Sequence, residues 1–170
     1  MNTQKVRNRV ILTAGALLWM GFIFGMSSQN ADISQDLSGG ITGGVQRIFF
    51  RSWNELPAYD YVLSMTSLSF LIRKAAHFTE YAILGALLAS AVFQWIPKFR
   101  VSIWYAGIIG LLYAISDEFH QRFVEGRSMQ VFDVCIDSLG TAAGALIVCG
   151  VMAMVLYANL RKETENKVTP

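Results

Sequence analysis

Long apolar runs alternate with short polar segments along most of this chain. Four runs, at about 10–26, 75–96, 101–120 and 131–157, are each long enough to cross a bilayer as a helix, which takes about 20 residues. The third stays long enough only if it continues through the acidic and histidine residues at its end. The pattern predicts an all-α polytopic membrane protein with four transmembrane helices. Pro97-Lys98-Phe99-Arg100 predicts a tight turn between the second helix and the third.

The connection between the first two runs, at 27–74, is too polar to span. Apolar residues recur in it at helical spacing, first over 33–48 and again over 61–72. Amphipathic helices of this kind lie in the membrane interface. We therefore expect extracytoplasmic interfacial helical segments in an external loop.

Composition agrees with this class of protein. Of the 170 residues, 54% are hydrophobic and only 15% are charged, which is too few charges for the surface of a soluble protein. The length predicts one membrane domain over 1–170. No basic patch or glycine-rich phosphate loop points to nucleic acid, and nothing indicates an obligate protein partner.

The distribution of basic residues predicts the orientation of the chain. The short segments 1–9, 97–100 and 158–170 hold eight of the 14 Lys and Arg residues but only two of the 12 acids. Short cytoplasmic segments carry such an excess. We expect both termini of this cell-membrane protein in the cytoplasm and the polar motifs on the extracytoplasmic side.

Acids, bases and histidines stand at the ends of three of the apolar runs, where a lipid-facing helix has no use for them. An ionised side chain at membrane depth costs at least ~2.5 kcal/mol, so such groups usually face the protein interior. On the third and fourth runs these groups continue stripes of small residues that let helices approach closely, as in Asp133, Asp137, Gly140 and Gly144. We expect the polar groups to converge in one outward-facing pocket, with Arg127 reaching its rim after a turn at Gly126.

Three ordered blocks of residues carry a family resemblance. They are Ser27-Ser28-Gln29, Lys74-x-x-His77-Phe78-x-Glu80-Tyr81, and Asp117-Glu118-x-His120-Gln121 followed by Gly126-Arg127 and Asp133-x-x-x-Asp137-x-x-Gly140. The chain resembles the VanZ-like family over essentially its whole length. That family takes its name from a bacterial protein associated with low-level resistance to teicoplanin, a lipoglycopeptide that acts on cell-wall precursors. The resemblance implies a cell-envelope membrane protein and supplies no mechanism.

The residue types assign candidate roles within this pocket. Histidine and carboxylate side chains can serve as general acid and base, and the candidates for catalysis are His77, Glu80, Asp117, Glu118 and His120. Asp117 and His120, three residues apart, could form an oriented pair. The candidates for substrate binding are Ser28, Gln29, Lys74, Gln121, Arg127, Asp133 and Asp137.

Several functions remain open at this stage. The first hypothesis is a binder of a membrane lipid or a lipid-linked cell-wall precursor, with a link to glycopeptide resistance. The second is an enzyme acting on a lipid or envelope substrate at the outer leaflet, by acid–base chemistry or with a metal held by imidazole and carboxylate ligands. A purely structural ion network ranks last because it costs more than apolar packing. A transporter is disfavoured because the polar groups gather near one membrane face. The sequence does not identify a cofactor or metal.

Overall fold

The computed structural model describes residues 3–29 and 31–168, and for 31–38, 53 and 166–168 it describes the backbone alone. Within these ranges the chain is helical and contains no strand. The α-helices are α1 (Thr3–Ser27), α2 (Ala31–Phe49), α3 (Ala58–Trp95), α4 (Phe99–Gln121) and α5 (Val131–Val168), and a 3-10 turn occupies Arg51–Glu55 between α2 and α3.

Four helices are long and apolar enough to span a membrane, which confirms the predicted fold class. They are Thr3–Ser27, Ala58–Trp95, Phe99–Gln121 and Val131–Glu165. The predicted turn between α3 and α4 is also confirmed. The Lys98 amide donates to the carbonyl of Ile96 at 2.7 Å, and Pro97 cannot continue the helix that precedes it.

The connection after α1 differs in part from the expectation. The pattern over 33–48 does form a helix, α2, although the side chains at 33–38 lie outside the described residues. The pattern over 61–72 does not form a separate segment. It is the first half of α3, a continuous helix of 38 residues, so the predicted start of the second span at 75 lies inside a helix. The stretch from 58 to 95 contains no proline, and its one glycine is Gly85. Because no residue in it breaks a helix, the helix continues from end to end.

The closest helix contact joins α3 to α5, which run parallel. Gly140 faces the backbone carbonyl of Phe78, and Gly144, one turn on, faces the carbonyl of Ala82. A Cβ atom at either glycine would overlap these carbonyl oxygens. The two backbones therefore touch, as small-residue stripes allow in lipid.

Long-range hydrogen bonds attach α1 to the rest of the bundle. The indole Nε1 of Trp19 donates to the carbonyl of Glu80 at 2.9 Å, and Arg9 Nε donates to the carbonyl of Gln94 at 2.9 Å. These two bonds show that α1 runs antiparallel to α3. The hydroxyl of Tyr113 on α4 donates to the carbonyl of Met20 at 2.5 Å. Backbone carbonyls are thus the anchors that hold α1 in place.

The buried core is built mainly from small side chains. Half of its apolar members are alanines: Ala16, Ala89, Ala106, Ala114 and Ala145, with Ile23, Tyr81, Leu84, Leu88 and Cys149 completing it. The large apolar side chains instead lie on the outside of the bundle. A bundle in lipid gains no hydrophobic free energy between its helices, so close packing must hold it together.

We predict that Gly144→Ala will lower the free energy of unfolding by about 1–3 kcal/mol, because the added methyl group must push apart two backbones. The matched control is Gly150→Ala on the same helix, where the added Cβ meets no atom within 4 Å. That control should be neutral or slightly stabilising, since alanine favours a helix. Thermal unfolding in detergent measures both variants, and equal effects would contradict the close α3–α5 contact.

Candidate functional site

The polar side chains gather at one end of the bundle, where α1 and α4 end and α5 begins. Asp117 and Glu118 in the last turns of α4, and Asp133 and Asp137 in the first turns of α5, are all buried. The long helix α3 passes this end in mid-course and adds the side chains at 73–80. We call this region the polar end. It brings together three motifs that are distant in sequence.

Two adjoining cavities open at the polar end. The first cavity, of about 100 Å³, is lined by Ile23, Met26, Ser27, Gln29, Ile41, Ile72, Arg73, Ala76, His77, Glu80, Asp117 and Arg127. The second cavity, of about 140 Å³, is lined by Phe70, Arg73, Lys74, His77, Gln121, Gly126, Arg127, Ser128, Gln130 and Asp133. Arg73, His77 and Arg127 line both, so cationic and imidazole groups stand at the boundary between the cavities.

An ion pair between Lys74 and Asp133 joins α3 to α5 beside the second cavity. The two side chains are only 11% and 10% exposed, so water competes little for either charge. The ammonium group also lies 5.1 Å from the centre of the Phe70 ring and 5.8 Å from that of Phe132, which adds cation–π attraction. Asp133 is therefore already neutralised by a partner.

His77 and Asp137 face each other one turn deeper along the same two helices. The imidazole Nδ1 lies 3.8 Å from Asp137 Oδ1, and the carboxylate is completely buried. Among the described residues neither Nδ1 nor either carboxylate oxygen has a hydrogen-bond partner. The other ring nitrogen, Nε2, lies on the opposite edge of the imidazole from Nδ1, and His77 lines both cavities. A small approach of the two side chains would make a hydrogen-bonded pair.

The two acids of α4 hold local structure. Asp117 Oδ2 accepts a hydrogen bond from Gln121 Nε2 at 3.3 Å. Glu118 Oε2 accepts one at 2.8 Å from the backbone amide of Gln130, which immediately precedes α5. Glu118 thereby ties the loop at 122–130 back onto α4. This bond fixes the position of the loop that carries Arg127.

Arg127 reaches the cavities from that loop. Gly126 has a φ of 74°, a left-handed conformation that favours glycine, and the predicted turn is present. The Arg127 side chain is half-buried, and burial lowers the pKa of its guanidinium while the Asp117 carboxylate opposes that shift. Arginine nevertheless stays charged at neutral pH. Among the described residues no carboxylate lies within 4.0 Å of it, so its donors face the cavities.

Some of the sequence candidates lie elsewhere. His120 packs on the ring of Phe24 at 4.4 Å between centroids, and its Nε2 lies 3.2 Å from the hydroxyl of Ser28. Neither His120 nor Ser28 lines either cavity, whereas Gln29 lines the first. In the part of the chain that the structure describes, no hydrogen bond joins Asp117 to His120, whose imidazole lies against Phe24 and Ser28. Glu118 and Asp137 lie next to the cavities without lining them.

Two residues of the polar end were not among the sequence candidates. Arg73 lines both cavities, and its Nε is buried without a hydrogen-bond partner among the described residues. Ser27 is buried and lines the first cavity. The signal for Arg73 was available, since 73, 77 and 80 recur at helical spacing and place the arginine on the face of His77.

The described residues do not form a set of ligands for the metal ion considered above. In the part of the chain that the structure describes, no three His, Cys, Asp or Glu side chains lie close enough together to hold an ion.

Four apolar helices that enclose a charged end define a polytopic helical membrane protein. The chain belongs to the VanZ/LLP1 family, whose sequence model matches residues 12–156 and thus most of its length. No curated protein and no solved structure matches the chain.

Proposed function

We propose that the polar end binds the anionic headgroup of a membrane lipid or lipid-linked cell-envelope component. The observation that carries this proposal is the charge around the second cavity. Arg73, Lys74 and Arg127 line it together with His77, and the one carboxylate in its described lining, Asp133, is paired with Lys74. The two arginines therefore face the cavity with donors suited to bidentate binding of phosphate or carboxylate.

The other acids of the site do not oppose such a ligand directly. Glu118 accepts a hydrogen bond from the backbone amide of Gln130, and Asp117 accepts one from the side-chain amide of Gln121. Asp137 lies behind His77. Glu80 and Asp117 line only the first cavity. The second cavity therefore has an excess of cationic groups, whereas the first holds two acids beside the same two arginines.

The apolar part of the first cavity favours a lipid over a soluble anion. Ile23, Met26, Ile41 and Ile72 line it beside the arginines. Apolar surface next to fixed cations matches a molecule that has both a hydrocarbon part and an anionic group. Because the chain belongs to the VanZ/LLP1 family, the proposed ligands include lipid-linked cell-wall precursors. The proposal also includes an effect of the protein on the susceptibility of its host to glycopeptides.

We further propose that both termini are cytoplasmic and that the polar end faces the extracytoplasmic side. Lys98 is exposed in the turn between α3 and α4, and Glu125 is exposed in the loop at 122–130, at opposite ends of α4. The basic residues near Lys98 support a cytoplasmic position for that turn.

Cysteine labelling in intact cells tests this orientation. The free thiols Cys135 and Cys149 are first replaced by serine, because Cys135 is exposed. We expect Glu125→Cys to react with a membrane-impermeant thiol reagent and Lys98→Cys to react only after the membrane is permeabilised. The reverse labelling would move the polar end to the cytoplasmic side.

A comparison of two substitutions separates binding from folding. We expect Arg127→Ala to weaken binding of lysophosphatidate to the purified protein about ten-fold or more, because a charge-assisted contact contributes about 1.5–3 kcal/mol. Its melting temperature in detergent should change little, since the side chain projects from a loop. Asp117→Ala should lower both affinity and melting temperature, because Asp117 is buried and bonded to Gln121. If the two changes lower the melting temperature equally, Arg127 belongs to a structural ion network. The susceptibility of the host to teicoplanin gives a second readout of function.

The approach of His77 to Asp137 favours a second candidate function, hydrolysis of a phosphate ester. In this mechanism His77 Nε2 takes a proton from a water molecule whose oxygen bonds to phosphorus. The phosphorus–oxygen ester bond breaks, and the proton passes from His77 to the leaving alkoxide, so that the products are an alcohol and phosphate. Asp137 would position the imidazole by accepting a hydrogen bond from its Nδ1–H group.

Phosphate release from lysophosphatidate tests this mechanism. We expect His77→Ala to abolish turnover and Asp137→Asn to slow it about 10²-fold or more, the usual contribution of general acid–base catalysis. Asp137→Asn should also shift the pH at which the rate is half-maximal, which a merely structural role would not. Absence of phosphate release from the unmodified protein, with binding intact, would leave the binding function alone.

A further inference from the structure

A third concave surface lies on the side of the bundle, between α1 and α3. It is a shallow groove of about 440 Å³, with Trp19 and Phe22 of α1 on one wall and Ala75 and Ile83 of α3 on the other. The alanine leaves room that a larger side chain would fill. Trp19 is held in place because its indole donates to the carbonyl of Glu80. The groove is therefore mainly apolar and has one wall, at Trp19, that is hydrogen-bonded to the helix opposite.

The groove continues into the cavities of the polar end. Ala76 and Glu80 line both the groove and the first cavity. The first cavity in turn shares Arg73 and Arg127 with the second. The groove therefore adjoins the first cavity at Ala76 and Glu80, and the first cavity adjoins the second at the two arginines.

The geometry of α3 explains this continuity. Side chains at 73, 77 and 80 share one face of the helix, and those at 76, 80 and 83 share the neighbouring face. Glu80 belongs to both. The helix therefore presents the face that carries Arg73 and His77 beside the face that lines the groove, with the Glu80 carboxylate at their junction.

We infer that the ligand is a lipid phosphate whose headgroup lies between Arg73 and Arg127 and whose hydrocarbon chain lies in the groove between α1 and α3. This inference rests on the proposed headgroup binding and goes beyond it by assigning the chain to one place. A free phosphate would use the arginines and leave the groove to bulk lipid. Glu80, where headgroup and chain meet, can accept a hydrogen bond from a hydroxyl group there, as on a glycerol backbone.

Fluorescence of Trp19 in lipid vesicles tests the assignment. In a variant with Trp53, Trp95 and Trp104 replaced by phenylalanine, Trp19 is the remaining tryptophan. The protein in phosphatidylcholine vesicles is titrated with lysophosphatidate that carries a brominated chain, which quenches tryptophan on contact. The same titration is made with a brominated monoacylglycerol, which has the same chain and no phosphate.

We expect half-maximal quenching at a mole fraction at least ten-fold lower for the lysophosphatidate than for the monoacylglycerol. Arg127→Ala should remove this difference by weakening the headgroup contact. Ala75→Phe should remove it by filling the groove, while leaving the binding of glycerol 3-phosphate unchanged because Ala75 lines neither cavity. In a control with Trp19→Phe as well, Leu112→Trp on the exposed face of α4 should be quenched equally by both lipids.

The outcomes separate this inference from the proposed function. Equal quenching of Trp19 by the two lipids, with Arg127-dependent binding of glycerol 3-phosphate, overturns the groove assignment and leaves headgroup binding standing. Loss of both responses overturns both proposals. Where the preference is present, unlabelled lysophosphatidate and unlabelled farnesyl phosphate compete with the brominated lipid. The one that relieves quenching at lower concentration identifies a glycerol lipid or an isoprenoid as the source of the chain.

Discussion

Backbone contact between α3 and α5 is the constraint on which the polar end depends. Gly140 and Gly144 let the carbonyls of Phe78 and Ala82 lie directly against α5. Because the helices are parallel and touch, the residues one or two turns earlier meet in register, so that Lys74 pairs with Asp133 and His77 faces Asp137. A larger separation would strand two buried carboxylates away from their partners, which is costly at membrane depth.

The pairing of the charged groups at the polar end matters more than their number. Acids outnumber bases there, which by composition suggests a cation site. Most of those acids are nevertheless committed: Asp133 to Lys74, Glu118 to the Gln130 amide, and Asp117 to Gln121. The donors of Arg73 and Arg127 are the groups turned toward the shared cavity space. The net charge of the polar end is therefore a poor guide to which charged groups line the cavities.

Position along the bundle also limits what the site can do. The cavities lie where three helices begin or end, and the groove between α1 and α3 gives them a side opening within the apolar zone. The hydrogen bonds of Trp19 and Tyr113 to backbone carbonyls hold α1 beside the cavities, although α1 contributes few buried side chains. Under the proposed function, this arrangement would let a lipid stay in the bilayer while its headgroup is bound.

The sequence by itself determined the elements and their faces. Four apolar runs, the turn at Pro97, the left-handed turn at Gly126 and the stripe that joins Asp137 to Gly140 follow from local geometry, because hydrophobic length and helical spacing are properties of one segment at a time. The family was also readable from three motif blocks. The sequence did not show that the helix carrying the second apolar run begins as early as Ala58, because the more polar stretch before 75 was interpreted as a separate interfacial segment.

Only the tertiary structure decided which polar groups meet. Asp117 and His120 are three residues apart on α4, but the packing of that helix puts Asp117 in the lining of the first cavity and His120 against Phe24 and Ser28. His77 finds its carboxylate on α5, 60 residues away in the chain, and Arg73 joins the cavities because α3 continues past its apolar part. Spacing within a helix fixes direction relative to its own axis. The rotation of each helix and its height relative to its neighbours come from packing between helices, and these two quantities select the partners.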